Sequence, residues 1–135
     1  MAENSAFAMP EGLHIRKDGV SQTGDLLGTS ALDEEWAPTI NMMLKYYKLG
    51  FGRASDFLNE EIRCGRLSRK EGVLLAQRYD GICDDKYVES FCCYVGITID
   101  EFWAQVHKAA NPVLFETVPG KQRPQPLFTP GVDHF

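Results

Sequence analysis

The chain has 135 residues, a net charge of −5 and a hydrophobic share of 44%. That length admits one domain whose core needs no metal or disulfide, and that composition excludes wholesale disorder. The acidic balance speaks against a dedicated nucleic-acid binder, which is usually basic.

The opening stretch, MAENSAFAMPEG, has no apolar run and no basic leader, so no signal peptide is expected there. No run approaches the ~20 apolar residues of a membrane span. A cytoplasmic protein without a membrane partner is expected. Residues 1–30 carry many Gly, Ser, Asp and Thr and read as an extended, partly disordered arm. Within it, HIRKDGV is a candidate short strand with no obvious partner.

From residue 31 the pattern becomes helical. SALDEEWAP predicts a helical turn with Ser30 as N-cap and acids in its first turn. Pro38 restarts the chain at the first position of a new helix. There Ile40, Met43, Leu44 and Tyr47 follow i, i+3, i+4, i+7 spacing, and Gly50 is the stop. RASDFLNEEIRC comes next, with Ala54, Phe57, Leu58 and Ile62 as its apolar stripe and Gly65 as C-terminal cap. In LSRKEGVLLAQRYDG, Ser68 and Glu71 have capping-box spacing, and Leu67 is placed as a hydrophobic staple near Gly72.

DDKYVESFCCYVG is capped by Asp84 or Asp85 and stopped by Gly96; Tyr87, Val88, Phe91, Cys92 and Val95 are its expected inner face. TIDEFWAQVHKAAN carries a second capping box, Thr98 with Glu101, and points Phe102, Trp103 and Val106 inward. Asn111-Pro112 ends it. The proline-rich remainder reads as a tail extended over a neighbouring surface. The expected fold is all-α: a compact bundle of about four to five short helices over 31–111, with the arm at 1–30 and the tail at 112–135.

Four cysteines, Cys64, Cys83, Cys92 and Cys93, show no C-x-x-C spacing, and His14, His107 and His134 lie far from them in sequence. A metal site is not expected, and free thiols suit a reducing compartment. His107 sits near a helix end, where it favours the dipole, and nothing pairs it with a nucleophile.

KLGFGRAS, residues 48–55, raises the question of a phosphate-binding loop. Such loops follow a strand and lead into a helix. Here a helix precedes, and Ser55 stands where a third glycine would be. A plain helix–helix corner, with Gly50 as cap and Gly52 as turn residue, accounts for the same pattern. In favour of an anion is the local charge. Residues 45–78 hold eight cationic and four acidic side chains, a net +4, against −9 for the rest of the chain. Spacing along the helix also allows Asp56 and Glu60 to pair with Arg63, which would make this a self-paired, solvated face. FCCYVGITIDEFW has a helix-turn-helix outline, but Asp100 and Glu101 at the front of its second helix would repel a phosphate backbone.

Taken together, LDEEWAPTINMMLKYYKLGFGRASDFLNEEIRCGRLSRKEG, YDGICDDKYVESFCCYVGITIDEFW and NPVLFE resemble the C-terminal region of the N-acetyl sugar amidotransferases. These are PP-loop ATP pyrophosphatase-type enzymes of surface-polysaccharide and flagellin-sugar biosynthesis. The resemblance covers about residues 22–116, with FGRASD and IRCGRLSRKEG most characteristic. It implies a role in ATP-dependent conversion of an acetamido to an acetamidino group on a nucleotide sugar, with ammonia from a separate glutaminase pair.

The family's S-G-G-x-D-S motif does not occur in these residues. The resemblance therefore implies a module that is not catalytically competent alone and works with a PP-loop catalytic chain or domain in trans. No catalytic residue is assigned, and no cofactor is expected on this chain by itself; ATP and Mg belong to the full enzyme. Lys45, Lys48, Arg53, Arg63 and Arg69 are the candidates for nucleotide or sugar phosphates, with Asp56 orienting one of the arginines. A non-catalytic helical interaction domain is the alternative, and a nucleic-acid module the weaker one.

Overall fold

The structure is a computed structural model that describes Pro10, residues 19–26 and residues 36–132. It is all-α apart from one small strand pair. Most of the HIRKDGV strand and the Ser30-capped turn fall outside the described residues. The described part of the arm forms a helical turn, α1 (Val20–Thr23). It is docked on the domain, because the Gln22 carbonyl accepts from the Asp84 N–H at 2.8 Å.

Trp36 leads into a π-helical turn, Ala37–Asn41, which runs on into α2 (Met42–Leu49). Proline lacks an N–H, so a proline in the first turn costs the helix no bond. Ile40, Met43 and Tyr47 are buried and Leu44 is half-buried, as the spacing requires. α3 (Arg53–Arg63) closes on Gly65, whose φ is +70°. The Gly65 N–H bonds to the Ile62 carbonyl and the Arg66 N–H to that of Glu61, the paired bonds of a Schellman ending.

α4 (Arg69–Tyr79) packs back against α3 and starts on the expected capping box. Ser68 Oγ accepts from the Glu71 N–H at 3.3 Å, and the Glu71 carboxylate accepts from the Ser68 N–H at 3.0 Å. Gly72 allows the two helices to approach. A Cβ there would lie 2.6 Å from Ile62 Cδ1 and 3.6 Å from Leu67 Cδ2, so Leu67 lies beside Gly72 but finds no side chain there to complete the expected staple.

α5 (Asp85–Val95) is capped by Asp84, and α6 (Ile99–Ala109) by Thr98 with Glu101. Tyr87, Val88, Cys92, Phe102, Trp103 and Val106 enter the core. Val95 does not: it is 48% exposed. It is the last residue of α5, and Gly96 turns the chain away immediately, so it stands at the rim of the face it was expected to join.

The segment after α6 is no loose extension among the described residues. β1 (Phe115–Glu116) and β2 (Gln125–Pro126) pair antiparallel, and the Leu127 N–H reaches the Leu114 carbonyl at 2.8 Å. The surface over which this tail lies is the domain's own. Phe115 and Phe128 contact at 5.6 Å, and Tyr46 meets both, at 5.1 Å and 6.3 Å. Tyr47 and Trp103 continue the cluster inward.

Candidate functional site

The glycine corner at residues 50–52 was the prime candidate for an anion. Gly50 ends α2 at φ +80°, and Gly52 is the extended N-cap residue of α3. The amides of a helix's first turn are unsatisfied within the helix and attract negative charge. Here the chain supplies that charge. Asp80, just past α4, accepts from the Ser55 N–H at 3.0 Å and from the Ser55 hydroxyl through its other oxygen. An internal carboxylate thus occupies the place that a phosphate would take.

Next to it, Lys45 donates to both oxygens of Asp56, at 2.8 Å and 2.6 Å, and lies 4.5 Å above the Phe51 ring. Asp56 thus holds a lysine, where an arginine was the expected partner. The Arg53 guanidinium stacks on Phe57 at 4.8 Å. Lys48 is exposed at the end of α2. Arg63 and Arg69 lie elsewhere: α3 puts Arg63 ~15 Å along its axis from Arg53, beside the turn that leads to Arg69. The candidates therefore form two groups, Lys45, Lys48 and Arg53 at one end of α3 and Arg63 and Arg69 at the other. Among the described residues, Lys48, Arg63, Arg69 and Lys70 enter no ion pair. The expected pairing of Asp56 and Glu60 with Arg63 is replaced by Lys45–Asp56 and Glu61–Arg66.

Between α3 and α4 runs a groove of ≈ 150 Å³, lined by Ser55, Asn59, Ile62, Arg69 and Val73 and walled by Pro130. Gln77 ties that wall down by donating to the Pro130 carbonyl at 2.8 Å. A wider depression of ≈ 420 Å³ continues outward over Val73 and Leu74, flanked by Arg69, Lys70 and Gly131.

Two residues escaped the sequence reading. Asp80 sits in a YDG stretch that looks only like a turn. Arg123 sits in a proline-dense run with no periodicity, yet it joins the tail to the core. It donates to the Cys83 carbonyl at 2.9 Å and to Asp85 at 2.5 Å, and stacks on Trp103 at 4.8 Å. Burial pushes the Cys83 thiol up to about 12, against the opposing pull of Arg123. Burial likewise raises the Tyr47 phenol, again with Arg123 opposing. Tyr46 is pushed up to about 12, first by burial and then by the Asp80 charge.

His107 is held between Thr117 Oγ1 at 3.0 Å and the Gln122 carbonyl at 2.9 Å. A carbonyl can only accept, so Nε2 carries a proton. The histidine pins the loop between the strands, with its other ring nitrogen facing the Thr117 hydroxyl. Cys83 and Cys92 are buried, Cys64 and Cys93 exposed, and all four are free thiols. Among the described residues no three His, Cys, Asp or Glu converge as metal ligands. Asp56 and Asp80, the carboxylates nearest the glycine corner, are engaged by Lys45 and Ser55. No helix among them is long and apolar enough to cross a membrane.

No curated protein and no solved structure matches the chain significantly. A family model described as "LPS biosynthesis protein WbpG-like, C-terminal domain" matches residues 31–125, from the segment that leads into the π-helical turn to the first residue of β2. That span takes in α2 through α6 and most of the sequence, and the chain belongs to the family of WbpG-like C-terminal domains of LPS biosynthesis proteins.

Proposed function

We propose that this chain is the helical C-terminal module of an N-acetyl sugar amidotransferase. In this reading it works in surface-polysaccharide biosynthesis, where an acetamido group on a nucleotide sugar becomes an acetamidino group at the expense of ATP. The observation that carries the reading is the family match over residues 31–125. Adenylation and ammonia supply belong to a PP-loop chain or domain and to a glutaminase. In this reading the module contributes positive charge, with Lys48 and Arg53, beside the Lys45–Asp56 pair, meeting the phosphates of the nucleotide sugar. Basic side chains anchored on a helical corner can form charge-assisted hydrogen bonds to such phosphates.

A thermal-shift titration tests this. UDP-N-acetylglucosamine and ATP with magnesium are added to the chain, alone and with a PP-loop partner chain. A ligand that binds only the folded state raises the midpoint, by an amount set by its concentration over Kd. The expected result is a rise with the nucleotide sugar that Lys48→Glu abolishes. No rise in either setting would remove the ligand-binding role.

A second reading has one specific observation in its favour. Asp80 and Asp56 already neutralise the corner from inside, as suits a non-catalytic interaction domain. In that case a partner chain binds and the nucleotide sugar has no effect. The nucleic-acid reading gains nothing, because Glu101 at the front of α6 is engaged by Thr98 as a cap.

A further inference from the structure

We infer that the outer face of α4 is a docking surface for an acidic segment of a partner protein, one that presents an apolar side chain between carboxylates. Three observations place it there. First, the depression over Val73 and Leu74 has an apolar floor, and Leu74 is 57% exposed. One exposed leucine is ordinary, but this one lies in a concavity walled by Gly131 of the folded-back tail.

Second, the rim is cationic. Arg69 and Lys70 line the depression, and neither enters an ion pair among the described residues. The helix field opposes cations in a first turn, so the dipole does not account for them.

Third, the small-anion alternative is closed off. The first-turn amides of α4 are served by Ser68, and the Glu71 carboxylate sits at that end, held below the ordinary carboxylate range by its bonds to Ser68. A lone phosphate would meet that negative charge. A longer segment can place its carboxylates over Arg69 and Lys70 and its apolar side chain over Leu74. An apolar floor beside two cations suits a peptide, which carries apolar and acidic side chains together, and the surrounding residues 45–78, at a net +4, attract its carboxylates. The inference does not rest on the amidotransferase reading, since no residue of the glycine corner lines the depression.

The test uses fluorescence anisotropy on the full chain with a fluorescein-labelled peptide that alternates Glu and Leu. Control peptides replace Leu by Ser, or Glu by Lys, and phosphatidylserine vesicles and inorganic phosphate serve as competitors. The Glu/Leu peptide is expected to bind. Arg69→Glu with Lys70→Glu, and separately Leu74→Ser, should each weaken it about tenfold, while Lys48→Glu leaves it unchanged. All of these side chains are exposed, so unchanged circular dichroism will show that the variants fold. Amide shifts on titration should centre on residues 69–74. The inference is overturned by no binding, by equal binding of the Glu/Ser peptide, by indifference to the rim variants, by shifts centred on Tyr94 and Val95, or by displacement with vesicles or phosphate.

Discussion

The aromatic end of the molecule and the α3–α4 hairpin are stabilised in different ways. Around Tyr47, Trp103 and Phe115, rings meet edge to face and the tail closes over them, so stability comes from buried area and one well-placed guanidinium. The hairpin is held by a capping box, a glycine contact and a Schellman ending, and its outer face stays charged and open. A region of the first kind tolerates little change. A region of the second kind is free to vary its surface for binding, which is where the candidate interaction residues lie.

The contrast breaks if core and hairpin substitutions cost the same. Trp103→Ala is expected to remove about 3–5 kcal/mol of stability, read by urea unfolding, whereas Leu74→Ala should stay within about 0.5 kcal/mol. Comparable losses would mean that the hairpin surface is part of the core. Arg123→Ala comes next. Its bond to Asp85 is partly exposed and adds little, but the bond to the Cys83 carbonyl and the stacking on Trp103 are shielded. A loss of about 2 kcal/mol is expected, together with faster proteolysis after α6. Intact protection would show that the tail is held by its strands and Phe128 alone.

Ser68→Ala sharpens the other half of the comparison. It should cost about 1 kcal/mol, and Thr98→Ala about the same, because both caps use the same reciprocal geometry. A last effect shows itself only at alkaline pH. Tyr46 has its folded-state value raised from 10.0 to about 12, so the folded state holds this proton more tightly than the unfolded chain. The stability linked to it is complete below pH 10 and is lost as pH rises from 10 toward 12. Ultraviolet titration should show a tyrosine ionising near pH 12 that Tyr46→Phe removes, and the same variant should flatten the decline of the midpoint in that window.

What the sequence made legible follows the range of the interactions involved. α2 to α6 could be read because their signals are local: Ser68 with Glu71, Thr98 with Glu101, and stripes such as Ile40, Met43, Tyr47. The docked turn at Val20–Thr23 was not legible, since it depends on a bond to Asp84, some sixty residues away. The tail was read as extended because its prolines suppress periodicity. Its order comes from Phe115, Arg123 and Phe128 reaching elements far back in the chain. At the candidate site the charge excess over 45–78 was visible, but its division into two groups was not. That division depends on α3 separating Arg53 from Arg63, and on Asp80 returning to fill the end of α3. Family membership was legible from the ordered phrases of the resemblance over about residues 22–116, of which the matched span of 31–125 covers all but the first nine.

The account stands or falls on whether this module serves a reaction whose energy source lies on another chain. The direct measurement is mass spectrometry of a nucleotide N-acetyl sugar incubated with ATP, magnesium and ammonium, with the module and a PP-loop chain present singly and together. The account predicts the acetamidino product only when both are present, with a lower yield for Lys48→Glu. Product formed at an undiminished rate without the module, or ATP consumed by the module alone, would contradict it.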